Sequence, residues 1–142
     1  MDYDDLTTAS IVRPKFQDND PVDFGNKHPH RHDIHGIDVS KWNGDIDWRT
    51  AKGSGVSFAF IKATEGKDRI DSGFERNWRQ AAAADVPHAP YHFYYFCSTA
   101  DDQADWFIRN VPKASVRLPP VLDVEWNHAS PTCKLRPDSS TV

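Results

Sequence analysis

Two acids two residues apart, Asp123 and Glu125 in the run LPPVLDVEW (118–126), are the residues of this chain best placed to do chemistry. On a β-strand their side chains would leave the same face, because the strand repeat is two residues. Their Cα atoms would then stand roughly 6.5 Å apart, from about 3.3 Å of rise per residue. Carboxyls that close cannot both ionise freely, so one pKa is expected to rise. A protonated carboxyl beside a carboxylate is the pair that hydrolysis of a glycosidic bond requires. The apolar neighbours Val121, Leu122, Val124 and Trp126 are expected to help desolvate the acid. A bare D-x-E is common, and alone it reads as two surface carboxylates at a strand end. Two further acids strengthen it: Asp38 in HGIDVS (35–40), and Glu65 just beyond VSFAFIKA (56–63). Four carboxylates sharing one rim are costly unless they have a task. Lys41 and Lys62 could offset part of that charge, which keeps a plain salt-bridge network as the competing reading.

These acids need a scaffold that gathers strand ends. From residue 35 the chain alternates between β-rich and helical patterns. Residues 35–40 read as a short strand. Residues 47–55 read as a short helix, with Asp45 or Asp47 as N-cap and Gly53 or Gly55 as stop. Residues 56–63 form a near-continuous apolar run, the pattern of a strand buried on both faces. Residues 74–85 read as a helix with Phe74, Trp78 and Ala81 on one side. An aromatic strand (88–96) follows, and then a helix (100–111). Asp101 and Asp102 suit the positive end of that helix, and Trp106, Phe107 and Val111 form its apolar stripe. Residues 118–126 read as the fourth strand, opened by prolines, and 137–138 as the start of another helix. Such alternation predicts parallel pairing with right-handed crossovers. An open doubly wound sheet and part of a (β/α) barrel both fit, and in both the active site lies at the carboxyl ends of the strands. No G-x-G-x-x-G or G-x-x-x-x-G-K-[ST] follows any strand, so no phosphate cradle is present.

The 142 residues carry 17 Lys+Arg against 21 Asp+Glu, a net charge of −4 that argues against nucleic acid as a partner. No apolar run approaches the roughly 20 residues of a membrane span. Residues 1–33 show no apolar core behind a basic start, so no secretory signal is visible. They lack periodicity, and all five Trp lie beyond them. They read as an N-terminal arm, flexible rather than docked through Ile11, Val12, Phe16 and Phe24, with 34–142 as the folded domain.

The segments HGIDVSKWNGDIDW (35–48), FAFIKATEG (58–66), APYHFYYF (89–96) and PPVLDVEW (119–126) resemble, in order and spacing, glycoside hydrolase family 25, the Chalaropsis-type lysozymes. The resemblance covers about residues 34–137. It implies an α/β fold that is a partial (β/α) TIM-like barrel, about four βα units of an irregular eight-stranded barrel. It implies an N-acetylmuramidase that cuts the β-1,4 bond between N-acetylmuramic acid and N-acetylglucosamine in bacterial peptidoglycan, outside the cell or in the periplasm. No cofactor is implied. By motif, Glu125 matches the general acid and Asp123 its partner. In the retaining scheme implied for the family, Asp123 orients the substrate's own 2-acetamido nucleophile. Asp38 and Glu65 match further cleft acids that support the transition state and bind sugar. Tyr91 matches an aromatic cleft residue, and Trp126 is a candidate stacking platform.

Family members continue through about four more strands, so the resemblance implies a domain truncated at its C-terminal side. The chain alone is then expected to have little or no activity, and a glycan-binding, non-catalytic protein is the second hypothesis. Open apolar strand edges are expected to favour association. A third hypothesis, a metal-dependent hydrolase, rests on His28, His30, His32, His35 and Asp33. That cluster precedes the first strand and would lie opposite the carboxylate rim, so a solvated arm is favoured. His92 alternates with Tyr91 and is expected to pack in the core. Cys97 and Cys133 follow the third and fourth strands; a disulfide and two buried thiols both fit.

Overall fold

The computed structural model describes residues 25–27, 31–113, 118–138 and 140. Residues 1–24, most of the expected arm, lie outside the described residues, as do His28 and His30 of the histidine cluster. Strand β1 (His35–Val39) is followed by α1 (Trp48–Gly53), β2 (Val56–Glu65), β3 (Arg69–Ile70), α2 (Phe74–Ala83), β4 (His88–Phe93), α3 (Ala100–Asn110) and β5 (Val121–Asp123). The sheet order is β1-β2-β4-β5, all parallel, with β3 pairing antiparallel to the end of β2. Neighbours in the sheet are thus neighbours in the chain, hairpin aside. Trp48, Phe74 and Phe107, one from each helix, pack on the same core cluster with Val39, Ala59, Ile61 and Ala63 of β1 and β2. Strands in running order with helices on one side are the partial-barrel arrangement, and the doubly wound alternative is set aside.

Local chemistry explains the element ends. The Asp47 carboxylate caps α1 by accepting from the Thr50 backbone N–H at 3.0 Å. Thr99 caps α3, and Asp101 and Asp102 occupy its first turn. The fourth strand is far shorter than the sequence run. Pro119 and Pro120 donate no ladder hydrogen bond, so pairing begins at Val121. It ends at Asp123 because its partner β4 ends at Phe93. Residues 137–138 start no helix; they lie in irregular chain.

Strand β2 departs usefully from ideal geometry. Lys62 pairs with Tyr91 and Thr64 with His92, leaving Ala63 as an extra residue in the ladder. Such a bulge rotates the following side chains. Thr64 joins the helix-facing core, and Glu65 lands on the same side as Lys62, three residues earlier. A strict two-residue repeat would have separated them.

Candidate active site

The cleft at the carboxyl ends of the strands has a volume of about 590 Å³. Asp38, Glu65, Tyr91, Asp123, Glu125 and Trp126 all line it, so the structure brings together every site residue expected from the sequence. Asp38 comes from β1, Glu65 from β2, Tyr91 from β4 and Asp123 from the last position of β5. Glu125 and Trp126 lie past β5, so the strand alternation that would place Asp123 and Glu125 on one face stops before it reaches Glu125. The loop beyond the strand carries Glu125 to the cleft instead.

Glu65 is the most heavily bonded acid. Its Oε2 accepts from the Lys62 ammonium at 2.5 Å, and its Oε1 accepts from the Tyr95 hydroxyl at 2.9 Å and from Arg69 at 3.4 Å. Burial alone would raise its pKa, but the Lys62 hydrogen bond and charge, then Tyr95 and Arg69, outweigh it and hold the carboxyl below its usual value. Lys62 is itself buried, its ammonium 4.5 Å from the centre of the Phe93 ring. Glu65 is therefore a fixed anion inside a local ion network. The competing salt-bridge reading describes this one acid well.

Asp123 behaves in the opposite way. Burial raises its pKa, the nearby charges of Glu125 and Asp38 raise it further, and Lys62 opposes them. The expected rise within the pair thus falls on Asp123. Leu122 and Val124 do not supply the desolvation expected of them. Leu122 is 58% exposed and Val124 is exposed too. Both line a groove with Tyr94, Phe96 and Leu135, away from the cleft. Alternation turns Leu122 from Asp123, Val124 lies past the strand end, and Glu125 itself is exposed. Tyr91 is buried, and its phenol is pushed well up by burial and by the charges of Asp38 and Asp123, so it stays a hydrogen-bond donor. Trp126 is half exposed, and its indole N–H donates to the Pro137 carbonyl at 3.1 Å, which fixes the ring at the rim.

The raised Asp123 has a consequence for stability. A carboxyl whose pKa is higher folded than unfolded favours folding at low pH, and that contribution is lost as pH rises through the raised value. Asp123→Asn is therefore expected to raise the thermal midpoint at pH 7. The gain should vanish below the ordinary carboxylate value of 3.8. Thermal unfolding of both proteins at pH 7 and pH 3 checks this; an equal effect at both would count against it.

Several residues of the site escaped the sequence reading. Tyr95 continues the two-residue repeat Tyr91, Phe93, Tyr95, and all three line the cleft, so that signal was available. Arg69 reaches Glu65 through the two-residue strand β3, too short to show a pattern. Gln103 is fully buried under the loop after β4. Its amide donates to the Tyr95 and Ser98 carbonyls at 3.0 and 3.2 Å and accepts from the Tyr95 N–H at 2.8 Å. It thereby sets the position from which Tyr95 holds Glu65. His92 is the core histidine expected, bonded to Thr64 at 2.7 Å and Gln103 at 3.1 Å. Burial lowers its pKa, with Gln103 opposing. Cys97 and Cys133 form a disulfide joining the loops after β4 and β5, which resolves the two alternatives left open. Among the described residues no cluster of three or more His, Cys, Asp or Glu could hold a metal ion. None of their helices is long and apolar enough to cross a membrane.

Comparison with known proteins adds an independent observation. Residues 37–141 match the family model described as Glycosyl hydrolases family 25. A family 25 glycosyl hydrolase of known structure from Bacillus anthracis is 47% identical and superposes with a TM-score of 0.66, over 70% of this chain and 46% of that one. Lysozyme M1 of Streptomyces globisporus is 40% identical over 104 residues, 70% of this chain and 35% of its own. An N,O-diacetylmuramidase of Chalaropsis is 29% identical over 107 residues, 70% of this chain and 51% of its own. The chain spans about half or less of each of these relatives.

Proposed function

Because this chain belongs to glycosyl hydrolase family 25, we propose that its cleft takes the glycan strand of bacterial peptidoglycan and directs hydrolysis of the β-1,4 bond between N-acetylmuramic acid and N-acetylglucosamine. The observation that carries this reading is the meeting of Asp38, Glu65, Asp123 and Glu125 in one cleft at the strand ends, with aromatic side chains beside them. Glu125 donates the proton to the leaving oxygen. Asp123 faces the sugar's 2-acetamido group and orients it as the nucleophile, in a retaining scheme. Its carboxylate accepts from the acetamido N–H, which turns the acetamido oxygen toward the sugar carbon it attacks and offsets the positive charge that develops there. Asp38 and the anchored Glu65 supply negative potential where oxocarbenium charge develops. Tyr91 offers a phenol donor and Trp126 an apolar face to the sugar rings. A protein acting this way works where peptidoglycan is, outside the cell or in the periplasm.

A non-catalytic, glycan-binding role is favoured by one observation: Glu125 and Asp38 are both exposed in this chain. Water around an acid weakens the electrostatic differences that catalysis uses. We therefore expect slow turnover by these 142 residues alone. Release of reducing sugar from purified peptidoglycan, followed at high chain concentration beside Lysozyme M1, separates the readings. Slow release above the blank supports a hydrolase; tight wall binding with no release supports the binding role.

A further inference from the structure

Trp42 is 81% exposed, more than any other large apolar side chain among the described residues, yet its backbone is held firmly. It sits in the 3-10 turn Lys41–Asn43 at the end of β1. Ser40 Oγ accepts from the Trp42 N–H at 3.3 Å, and the Asn43 side chain accepts from the Ser40 N–H at 2.8 Å. The buried Asp71 carboxylate accepts from the Lys41 N–H at 3.0 Å and the Gly73 N–H at 2.9 Å. Gly73 packs so closely that a Cβ there would stand 3.2 Å from Lys41 Cα. Water is a poor environment for an indole, and nothing in this turn requires one. A rigid turn that displays an aromatic ring at a cleft rim is pre-organised for a ligand. The Lys41 ammonium stands 4.9 Å from the centre of that ring and pairs with no carboxylate among the described residues. In the same cleft, by contrast, Lys62 and Arg69 are both committed to Glu65.

We infer that Trp42 and Lys41 form a binding subsite at the β1 rim for a pyranose ring that carries a carboxylate. The Lys41 ammonium lies over one face of the indole; the other face takes the apolar C–H face of the sugar, and the ammonium takes the acid. The subsite rests on the reading of the cleft as a site for muroglycan. Strands β1 and β5 lie three interstrand steps apart in the sheet, about 14 Å. A glycan crossing the strand ends from Trp126 to Trp42 would therefore pass the reacting acids first and reach Trp42 several bonds away. Trp42 then contributes to binding and leaves the chemical step alone.

The test is calorimetric titration of the 142-residue chain with three tetrasaccharides. One is the neutral N-acetylglucosamine tetramer. One alternates N-acetylglucosamine with N-acetylmuramic acid bearing free lactyl carboxylates. The last is the same glycan with peptide stems attached. Trp42→Ala is expected to weaken all three by roughly tenfold, the scale of losing one aromatic anchor. Trp42→Phe should recover most of the loss. Lys41→Met should weaken only the acidic glycans, and the two acidic arms tell a lactyl carboxylate from a stem carboxylate. Unchanged circular dichroism checks that the exposed positions are structurally silent. Undiminished binding by Trp42→Ala, with the unsubstituted chain binding normally, would overturn the subsite alone. An equal loss on the neutral tetramer in Lys41→Met would overturn the carboxylate assignment. No binding of any glycan by the unsubstituted chain would overturn both the subsite and the functional reading beneath it.

Discussion

Glu125→Gln is expected to lower the release of reducing sugar from peptidoglycan by about 10²–10⁴-fold, the usual contribution of a positioned general acid. Binding of muroglycan should change by no more than a few fold. Glutamine keeps the volume and one acceptor oxygen of glutamate, so contacts to the sugar survive. What it loses is the proton that must reach the leaving oxygen. Because Glu125 is exposed here, a low starting rate is expected, and the comparison needs enzyme in excess and long incubation. A loss of turnover with binding retained separates a proton donor from a sugar-binding residue, since the latter would lose both. Equal turnover by the two proteins would remove Glu125 from the chemistry. Glu65→Gln should behave differently. It strips the fixed anion from buried Lys62, so its effect should include a fall in stability.

Loss of the Cys97–Cys133 disulfide is expected to cost about 4 kcal/mol of stability, from closing a loop of 36 residues in the unfolded chain. The thermal midpoint should fall on the order of 10 °C or more. The effect should concentrate on the β5 side of the sheet. Strand β5 is held to β4 by only three paired residues, and the disulfide ties the loop after it to the loop after β4. Those loops carry Tyr95 and residues 126–131 of the cleft wall. Hydrogen exchange of the Cys97→Ser/Cys133→Ser double variant should therefore rise first at residues 121–133, and glycan affinity should weaken with it. Identical unfolding with and without reductant would contradict this.

Strands β1, β2 and β4 were legible because their apolar runs are long enough to show a pattern, and their acids fell at run ends. The short β5 was over-read: the apolar run continues to Trp126, but a strand lasts only as long as its partner, and β4 stops at Phe93. The partner's length is a property of the fold and leaves no trace in the run itself. Glu65 was placed correctly although its orientation depends on the Ala63 bulge, which no local signal announces. Leu122 and Val124 looked like desolvating neighbours because they flank the acids in sequence. Leu122 points away because it flanks Asp123 within the strand, and Val124 lies past the strand end in the same groove. Trp42 and Gln103 show the opposite limit. One is an exposed aromatic and the other a buried amide, and only their contacts reveal what each does.

The chemical identity of the new chain end distinguishes the proposed muramidase cleft from every other wall-cleaving site. Purified peptidoglycan digested by the chain is reduced with borohydride, and the reduced end of each soluble fragment is identified by tandem mass spectrometry. The expected result is N-acetylmuramitol above the blank, lost when Glu125 is replaced by glutamine. N-acetylglucosaminitol in its place, cleaved peptide stems with no new sugar ends, or N-acetylmuramitol released equally by Glu125→Gln would each contradict the assignment of this cleft.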